Sequence, residues 1–451
     1  MLEIKNLSAA VVRYTTLCLW LILLSIAACS KDDNGVSTGP DPTPAPSCDT
    51  SRLPVVFVHG FLGSGDTYAG QAQRFSSNGY CPERLFAFDW NSLGERDAAL
   101  LELDAFIDEV LSNTGASQVD LAGHSAGGSL SYEYLGDAGR AAKVAHYAHL
   151  ASGQQNGAAG PNGNIPTINI YSTDDLVVES GDIPGAQNKA YAGLDHYQAA
   201  TAPETFEAMF VFFNDGERPE ELNIVRQDAP AISGKVLTFG ENQPVEDALV
   251  TVYRVDPATG RRADVAPSAT FITDAEGSWG PLVADPEAYY EFFVEPDGAE
   301  NRPVHYYREP FQHSNPLTYL RTLPPPGSIA GILVSDIPED DRQTVIAIFS
   351  SSRAVLADRD ELRADALELS TEQYAPREST NIAFFLYDDG DQASSGDIHS
   401  IFQLLTSFVT GIDYFISTNE IRSVPVTFNG RTLQVPNLKS ASDGIGVVVF
   451  D

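Results

Sequence analysis

Basic residues are scarce in this chain of 451 residues: lysine and arginine number 27 against 62 aspartates and glutamates, a formal net charge of −35. Such a surface repels phosphate backbones and anionic headgroups, which excludes nucleic acid as a partner and leaves no electrostatic route to a membrane. The same excess suits saline surroundings, where salt screens self-repulsion, or an acidic secreted protein in general. A membrane-length apolar run is also missing. The run from Leu17 to Ala28, after Lys5 and Arg13, is too short to span comfortably and has the shape of a signal-peptide core. Residues 31–47 lack apolar periodicity and are rich in Pro, Gly, Ser and Thr, the composition of a tether. Cysteine is sparse, with 4 in the chain, and Cys18 falls inside the leader.

The leader closes on Ile26-Ala27-Ala28-Cys29, which resembles the bacterial lipobox. That resemblance implies a signal peptide over 1–28, lipidation of Cys29 as the first mature residue, and a tether over 29–48. Ser30, rather than an aspartate, follows Cys29 and points to outer-membrane sorting; ordinary secretion is the alternative. Attachment would then rest on several acyl chains, since a single chain binds only marginally. An oxidising compartment makes Cys48 and Cys81, each just before an expected strand, the disulfide pair. A loop of that size contributes on the order of 3.5 to 4 kcal/mol in the chain-entropy treatment.

What the chain does contain is a serine in a demanding setting. Val119-Asp120-Leu121-Ala122-Gly123-His124-Ser125-Ala126-Gly127-Gly128 puts G-x-S-x-G directly after a strand-like apolar run, the pattern of a nucleophile elbow. The tight strand-to-helix turn needs glycine on both sides and leaves the Ser125 hydroxyl exposed above the sheet. Upstream, Pro54-Val55-Val56-Phe57-Val58-His59-Gly60-Phe61 reads as a buried strand ending in His-Gly. That loop supplies one oxyanion-hole donor and the residue after the nucleophile the other, so the expected donors are the Phe61 and Ala126 N–H groups. Downstream, the strand Pro166 to Tyr171 runs into Asp174-Asp175-Leu176-Val177-Val178, and then comes Gly193-Leu194-Asp195-His196. Serine, acid, histidine is the α/β-hydrolase order.

On these motifs residues 53–213 resemble compact bacterial lipases. In that family the acid directly precedes an apolar residue and a Val/Ile pair, which matches Asp175, with Asp174 as the alternative. The implied catalytic residues are Ser125, Asp175 and His196. The remaining histidines have plainer readings: His59 packs the loop, His124 points away from the nucleophile, and His146 and His149 precede the acid and so have the wrong order for a base. Asp195 suits a local turn.

Three domains fit the length. The first, an α/β-hydrolase domain over 49–226, contains a helix from Glu95 to Ser112 with Leu101, Ala105, Phe106, Val110 and Leu111 on its apolar face, and another from about Ala199 to Phe213. Two mainly-β domains follow. Over 227–322, Ile232–Phe239 and Ala248–Tyr253 alternate like strands, and Thr273–Trp279 resembles the hairpin of a carboxypeptidase regulatory-like β-sandwich. After Pro324-Pro325-Pro326-Gly327, residues 323–451 alternate again, with a hairpin at Asn429-Gly430 and a closing strand at Val447–Phe450. The apolar stretch Asp397–Thr410 predicts a helix that covers the β-domain or touches lipid. The layout resembles an archaeal long-chain lipase whose carboxy-terminal domain helps bind long acyl chains, which makes the last domain lipid-binding-like. The expected protein is a serine carboxylic ester hydrolase, a triacylglycerol lipase or long-chain carboxylesterase acting on acyl esters. Alternatives are a polyester or polyhydroxyalkanoate depolymerase, a thioesterase, or a non-enzymatic surface-binding lipoprotein. No residue pattern calls for a metal or an organic cofactor.

Overall fold

Val55–Val58 (β1) is buried along its whole length, and its alternate residues belong to different cores: Val55 and Phe57 to one, Val56 and Val58 to the other. A strand apolar on both faces is what a parallel sheet covered by helices requires. In the computed structural model, which describes residues 48–298, 301–402 and 408–451, β1 lies in such a sheet. The expected signal peptide, Cys29 and the tether up to residue 47 lie outside the described residues. The other strands are β2 (Leu85–Phe88), β3 (Val119–His124), β4 (Val144–Leu150), β5 (Thr167–Ser172) and β6 (Gln187–Tyr191). The order is β2-β1-β3-β4-β5-β6, all parallel. The chain reverses its winding between β1 and β3, so the loops after those strands meet at the carboxyl edge, where open α/β sheets place their sites.

Two corrections concern the covering helices α1 (Ala69–Ser77), α2 (Arg96–Thr114), α3 (Ala126–Tyr134), α4 (Ala138–Ala141), α5 (Gln198–Thr201) and α6 (Pro203–Phe213). Helix α2 forms where expected, but it buries Ala99, Leu100, Leu103, Ile107 and Val110, while Leu101 is 65% exposed and Ala105 faces solvent. The sequence offers two overlapping apolar stripes, and the sheet selects one. The expected helix over 199–213 is broken at Ala202, because Pro203 lacks the N–H that would continue α5 and instead opens α6. Cys48 and Cys81 are disulfide-bonded, tying the start of this domain to the loop before β2.

The β-rich remainder holds β7 (Ala231–Thr238), β8 (Leu249–Val255), β9 (Ala269–Ile272), β10 (Ser278–Val283), β11 (Tyr289–Glu295), β12 (Val304–Arg308) and β13 (Leu320–Thr322). A short helix α7 (Ile329–Leu333) leads into β14 (Ile346–Ser350), β15 (Leu362–Ala364), β16 (Leu367–Glu368), β17 (Ala383–Tyr387), β18 (Val409–Asp413), β19 (Ser423–Phe428), β20 (Arg431–Pro436) and β21 (Ile445–Phe450). They form sheets of three (β10-β7-β13), eight (β18-β17-β14-β21-β12-β11-β8-β9) and four strands (β16-β15-β19-β20). The eight-stranded sheet crosses the expected boundary at 322/323, and one core runs from Ile232 to Val449.

Thr273–Trp279 does not close a hairpin. β9 pairs with β8 and β10 with β7, so the turn carries the chain from one sheet to another, and Trp279 packs on Phe292 between them. Asn429-Gly430 does close one, both residues having positive φ (48° and 82°) as a type I′ turn demands. The predicted helix over 397–410 is not found among the described residues: Ile398 bridges to Ile412, and Val409–Asp413 pairs with β17 as a strand. Among its described apolar residues Phe402 and Val409 are buried and Ile398, Ile401 and Phe408 half-buried, with Phe402 lying over Gly411 and stacking on Phe385. Residues 403–407 of that stretch lie outside the described residues.

Candidate active site

Ser125 stands between β3 and α3 with φ 53° and ψ −122°, a conformation that a side chain adopts only at a cost of about 1 to 3 kcal/mol. The surroundings hold it there: Ser125 N–H donates to the Leu150 carbonyl (2.9 Å), and Ser152 Oγ donates to the Ser125 carbonyl (2.7 Å). A Cβ on Gly123 would come within 2.7 Å of the Gly127 carbonyl oxygen and of Ser131 Oγ, and one on Gly127 would overlap the Val58 and His59 carbonyls. The flanking glycines are therefore a steric requirement. Ser152 was not singled out from sequence, since a serine after a strand carries no signal of its own.

His196 and Asp175 meet at the same edge. His196 Nδ1 is 2.7 Å from Asp175 Oδ2, and both side chains are buried (2% and 0% exposed). Asp175 Oδ1 also accepts from the Val177 and Val178 N–H groups at 2.8 and 3.3 Å. Burial alone would raise this carboxyl, but the His196 hydrogen bond and the two amides outweigh it and hold it below the ordinary value. Asp174 turns outward and accepts from Gly193 N–H at 2.6 Å, so Asp175 is the acid beside the histidine. The buried His196 Nε2 has no hydrogen-bond partner, and His196 and Ser125 line one cavity.

Phe61 and Ala126 flank Ser125 from the loop after β1 and from the first position of α3. Neither N–H donates to an acceptor among the described residues. A Cβ on Gly60 would lie 3.1 Å from Ser125 Cβ, which shows how closely that loop passes the serine.

His124 Nε2 donates to the His196 carbonyl (3.0 Å), with the two rings 4.7 Å apart. Burial, with His196 alongside, pushes His124 down to about 3, so no imidazolium sits beside His196 at neutral pH. His59 is buried, with Nδ1 on the Gly60 carbonyl and its ring over Trp90. His146 pairs with Asp120, which burial pushes up to about 6, near the start of β3 and thus at the opposite edge from Ser125. His149 bonds to Tyr147 OH and the Gly153 carbonyl. Asp195 caps a turn at Gln198 N–H and also binds Arg359 Nη1 at 2.8 Å, a contact with the last domain that local pattern could not reveal.

Thr380, Ile382 and Phe408 of that last domain complete the wall of the Ser125 cavity. Phe408 meets Phe61 edge-on at 5.9 Å, and Thr380 Oγ1 is buried without a partner. An adjoining cavity shares Phe61, Ile382 and Phe408 and adds Phe239, Phe349 and Val449. Phe239, Phe349, Ile382 and Val449 lie on segments that read as strands and Phe408 on the stretch that reads as a helix, and neither pattern tells what these residues face.

A strained serine at a strand–helix turn and a histidine lining the same cavity, with a buried carboxylate on its Nδ1, have the arrangement of a serine hydrolase of the α/β-hydrolase class. The family model for lipase (class 2) matches residues 52–143, that for a lipase C-terminal domain matches 228–325, and a further C-terminal-domain model matches 338–451. The chain belongs to the α/β-hydrolase lipase/esterase family and is a carboxylic ester hydrolase. Among solved structures it is similar to a Bacillus licheniformis lipase in mature form (17% identity, 38% of this chain and 96% of that one, TM-score 0.32). It is also similar to the naproxen esterase (carboxylesterase NP) of Bacillus subtilis (15%, 37% and 86%, TM-score 0.28) and to Aspergillus fumigatus lipase B (15%, 39% and 56%, TM-score 0.31).

Proposed function

We propose that the protein hydrolyses long-chain acyl esters, triacylglycerols foremost, through a covalent acyl-enzyme. His196 Nε2 takes the Ser125 proton as Oγ attacks the ester carbonyl, and the oxyanion accepts hydrogen bonds from Phe61 and Ala126 N–H. Asp175 keeps the Nδ1–H tautomer and stabilises the imidazolium. His196 then protonates the departing alkoxide, and the alcohol leaves. A water attacks the acyl-enzyme with His196 again as base, which returns Ser125 and frees the fatty acid.

The observation that carries the long-chain reading is the apolar wall beside Ser125, with Phe61, Ile382 and Phe408 continuing into Phe239, Phe349 and Val449. Methylenes buried against these apolar side chains gain about 0.8 kcal/mol each, and the charges that share the second cavity, Asp66 and Arg321, are paired with each other. Initial rates on p-nitrophenyl esters of increasing acyl length, followed by emulsified triacylglycerol, test it: kcat/KM should rise with length. A maximum at acetyl with no activity on emulsion overturns it. Ser125→Ala should abolish turnover, and a fluorophosphonate should label the unaltered enzyme at Ser125 alone. The lipobox resemblance supports an outer-membrane lipid anchor at Cys29, for which detergent-phase partitioning of the mature protein, lost in Cys29→Ser, is the measurement.

A further inference from the structure

We infer that Asn242, a residue of the middle β-domain, is a positioning residue that sets the orientation of the Phe61 N–H toward the reacting ester. The inference rests on the reading of that N–H as an oxyanion donor. Asn242 lies in the turn after β7, 3% exposed and with φ 55°. Its Nδ2 reaches three acceptors in the first domain: the Gly63 carbonyl (2.8 Å), the Trp90 carbonyl (3.1 Å) and His59 Nε2 (3.3 Å). Two carbonyls can only accept, so the nitrogen must face them and the amide orientation is fixed.

The histidine then has a single consistent tautomer. His59 Nδ1 is 2.8 Å from the Gly60 carbonyl and must carry the proton; the buried ring is neutral, leaving Nε2 to accept from Asn242. The Gly60 carbonyl is thereby held by His59 Nδ1–H and by Gly63 N–H (3.2 Å). In a trans peptide the carbonyl and the following N–H point in opposite directions. Pinning the Gly60 carbonyl toward His59 and Gly63 therefore turns the Phe61 N–H of that peptide the other way. Gly60 itself runs against Ser125.

The loop would not keep this shape unaided. Leu62 is held at φ 55°, a region that disfavours a leucine, and Asn242 grips the carbonyl of the residue that follows it, Gly63. Asn242 Oδ1 is buried without a partner, a penalty that an apolar residue filling the same space would avoid. From the same domain, Arg321 Nη2 binds Ser64 Oγ and Asp66 just beyond the loop.

The test replaces Asn242 by glycine, which tolerates the positive φ, and by aspartate, which keeps the shape but not the donors. Rates are expressed per fluorophosphonate-titrated Ser125. We expect kcat to fall about 10- to 100-fold with KM nearly unchanged, equally for short and long acyl esters, since removing one oxyanion donor outright lowers it by about 10² to 10³. Affinity for a trifluoromethyl ketone, which forms the tetrahedral adduct, should fall by the same factor, whereas binding of a non-hydrolysable ether analogue should not change. Unchanged kcat per titrated site, or a loss in KM alone, overturns the inference. Should both variants fail to fold, nitrogen-15 NMR of the unaltered protein decides: His59 protonated on Nδ1 supports it, and protonation on Nε2 overturns it. An unaltered enzyme that neither labels at Ser125 nor binds the ketone would instead overturn the acyl-enzyme reading, and this inference with it.

Discussion

At the scale of single residues, two adjacent aspartates differ only in direction, and direction decides the chemistry. Asp175 points inward to His196 and two backbone amides, while Asp174 points outward to Gly193. Asp175→Asn should lower kcat by about 10⁴, as loss of a tautomer-setting carboxylate does, and Asp174→Asn should have a mild effect. Comparable losses in both, measured on a soluble ester, would reassign the acid. The buried histidines predict a pH dependence of stability. His124 and His149 are pushed down to about 3 and about 4 by burial, below the value of about 6.5 expected in the unfolded chain. As pH falls the unfolded state takes up these protons first, so their contribution is intact above about 6.5 and is lost progressively toward the folded-state values. Each such histidine adds a slope of about 1.4 kcal/mol per pH unit. Urea unfolding between pH 4 and 7 should be visibly shallower in its pH dependence for His124→Gln than for the unaltered protein; parallel curves would show that His124 is not buried neutral.

At the scale of elements, the turn from β3 to α3 shows how local sequence and tertiary contact agree. The glycines permit a conformation that packing then enforces, and a methyl group at Gly127 has nowhere to go because it meets the Val58 and His59 carbonyls. Gly127→Ala should destabilise the protein by more than the roughly 1 kcal/mol of a helix-propensity change, here with opposite sign to propensity, and should lower activity as the elbow shifts. Thermal unfolding together with kcat checks both; a stable, active variant would mean that the elbow has slack. Elsewhere packing overrode pattern. α2 exposes Leu101, and the stretch expected to be helical around 397–410 ends in a strand because β17 offers a ladder at Val409–Asp413.

For the whole molecule, the last strand in sequence is central in space: β21 lies between β14 and β12. Cutting the chain after Thr322 would strip that neighbour from β12 and open the shared core, so truncation is a poor way to ask what the final domain does. A point change is cleaner. Arg359 reaches from that domain to Asp195, the residue before His196, whose side chain is 4% exposed, and Thr201 Oγ1 donates to the Ser352 carbonyl nearby. Arg359→Met leaves a buried carboxylate without its cation and should destabilise by about 3 kcal/mol, with Asp195→Asn in the same chain recovering much of the loss. Additive losses in urea unfolding would show the pair to be uncoupled.

The sequence by itself determined the fold class of the first domain and the chain order of its candidate site residues. Ser125, the His-Gly loop, the acidic turn and His196 sit in short motifs whose backbone demands are local, and strands buried on both faces declare a parallel sheet. It also marked Cys48 and Cys81 as partners, and they are bonded. Only the tertiary structure showed that Asp175 and not Asp174 touches His196, since both occupy one turn and differ in which way they face. Only it chose the buried stripe of α2, joined the two β-domains in one sheet, and brought Phe408, Arg359 and Asn242 to the catalytic loops. Asn242 and His59 are 183 residues apart, and no periodicity in either segment encodes a hydrogen bond whose partner is supplied by another domain's turn.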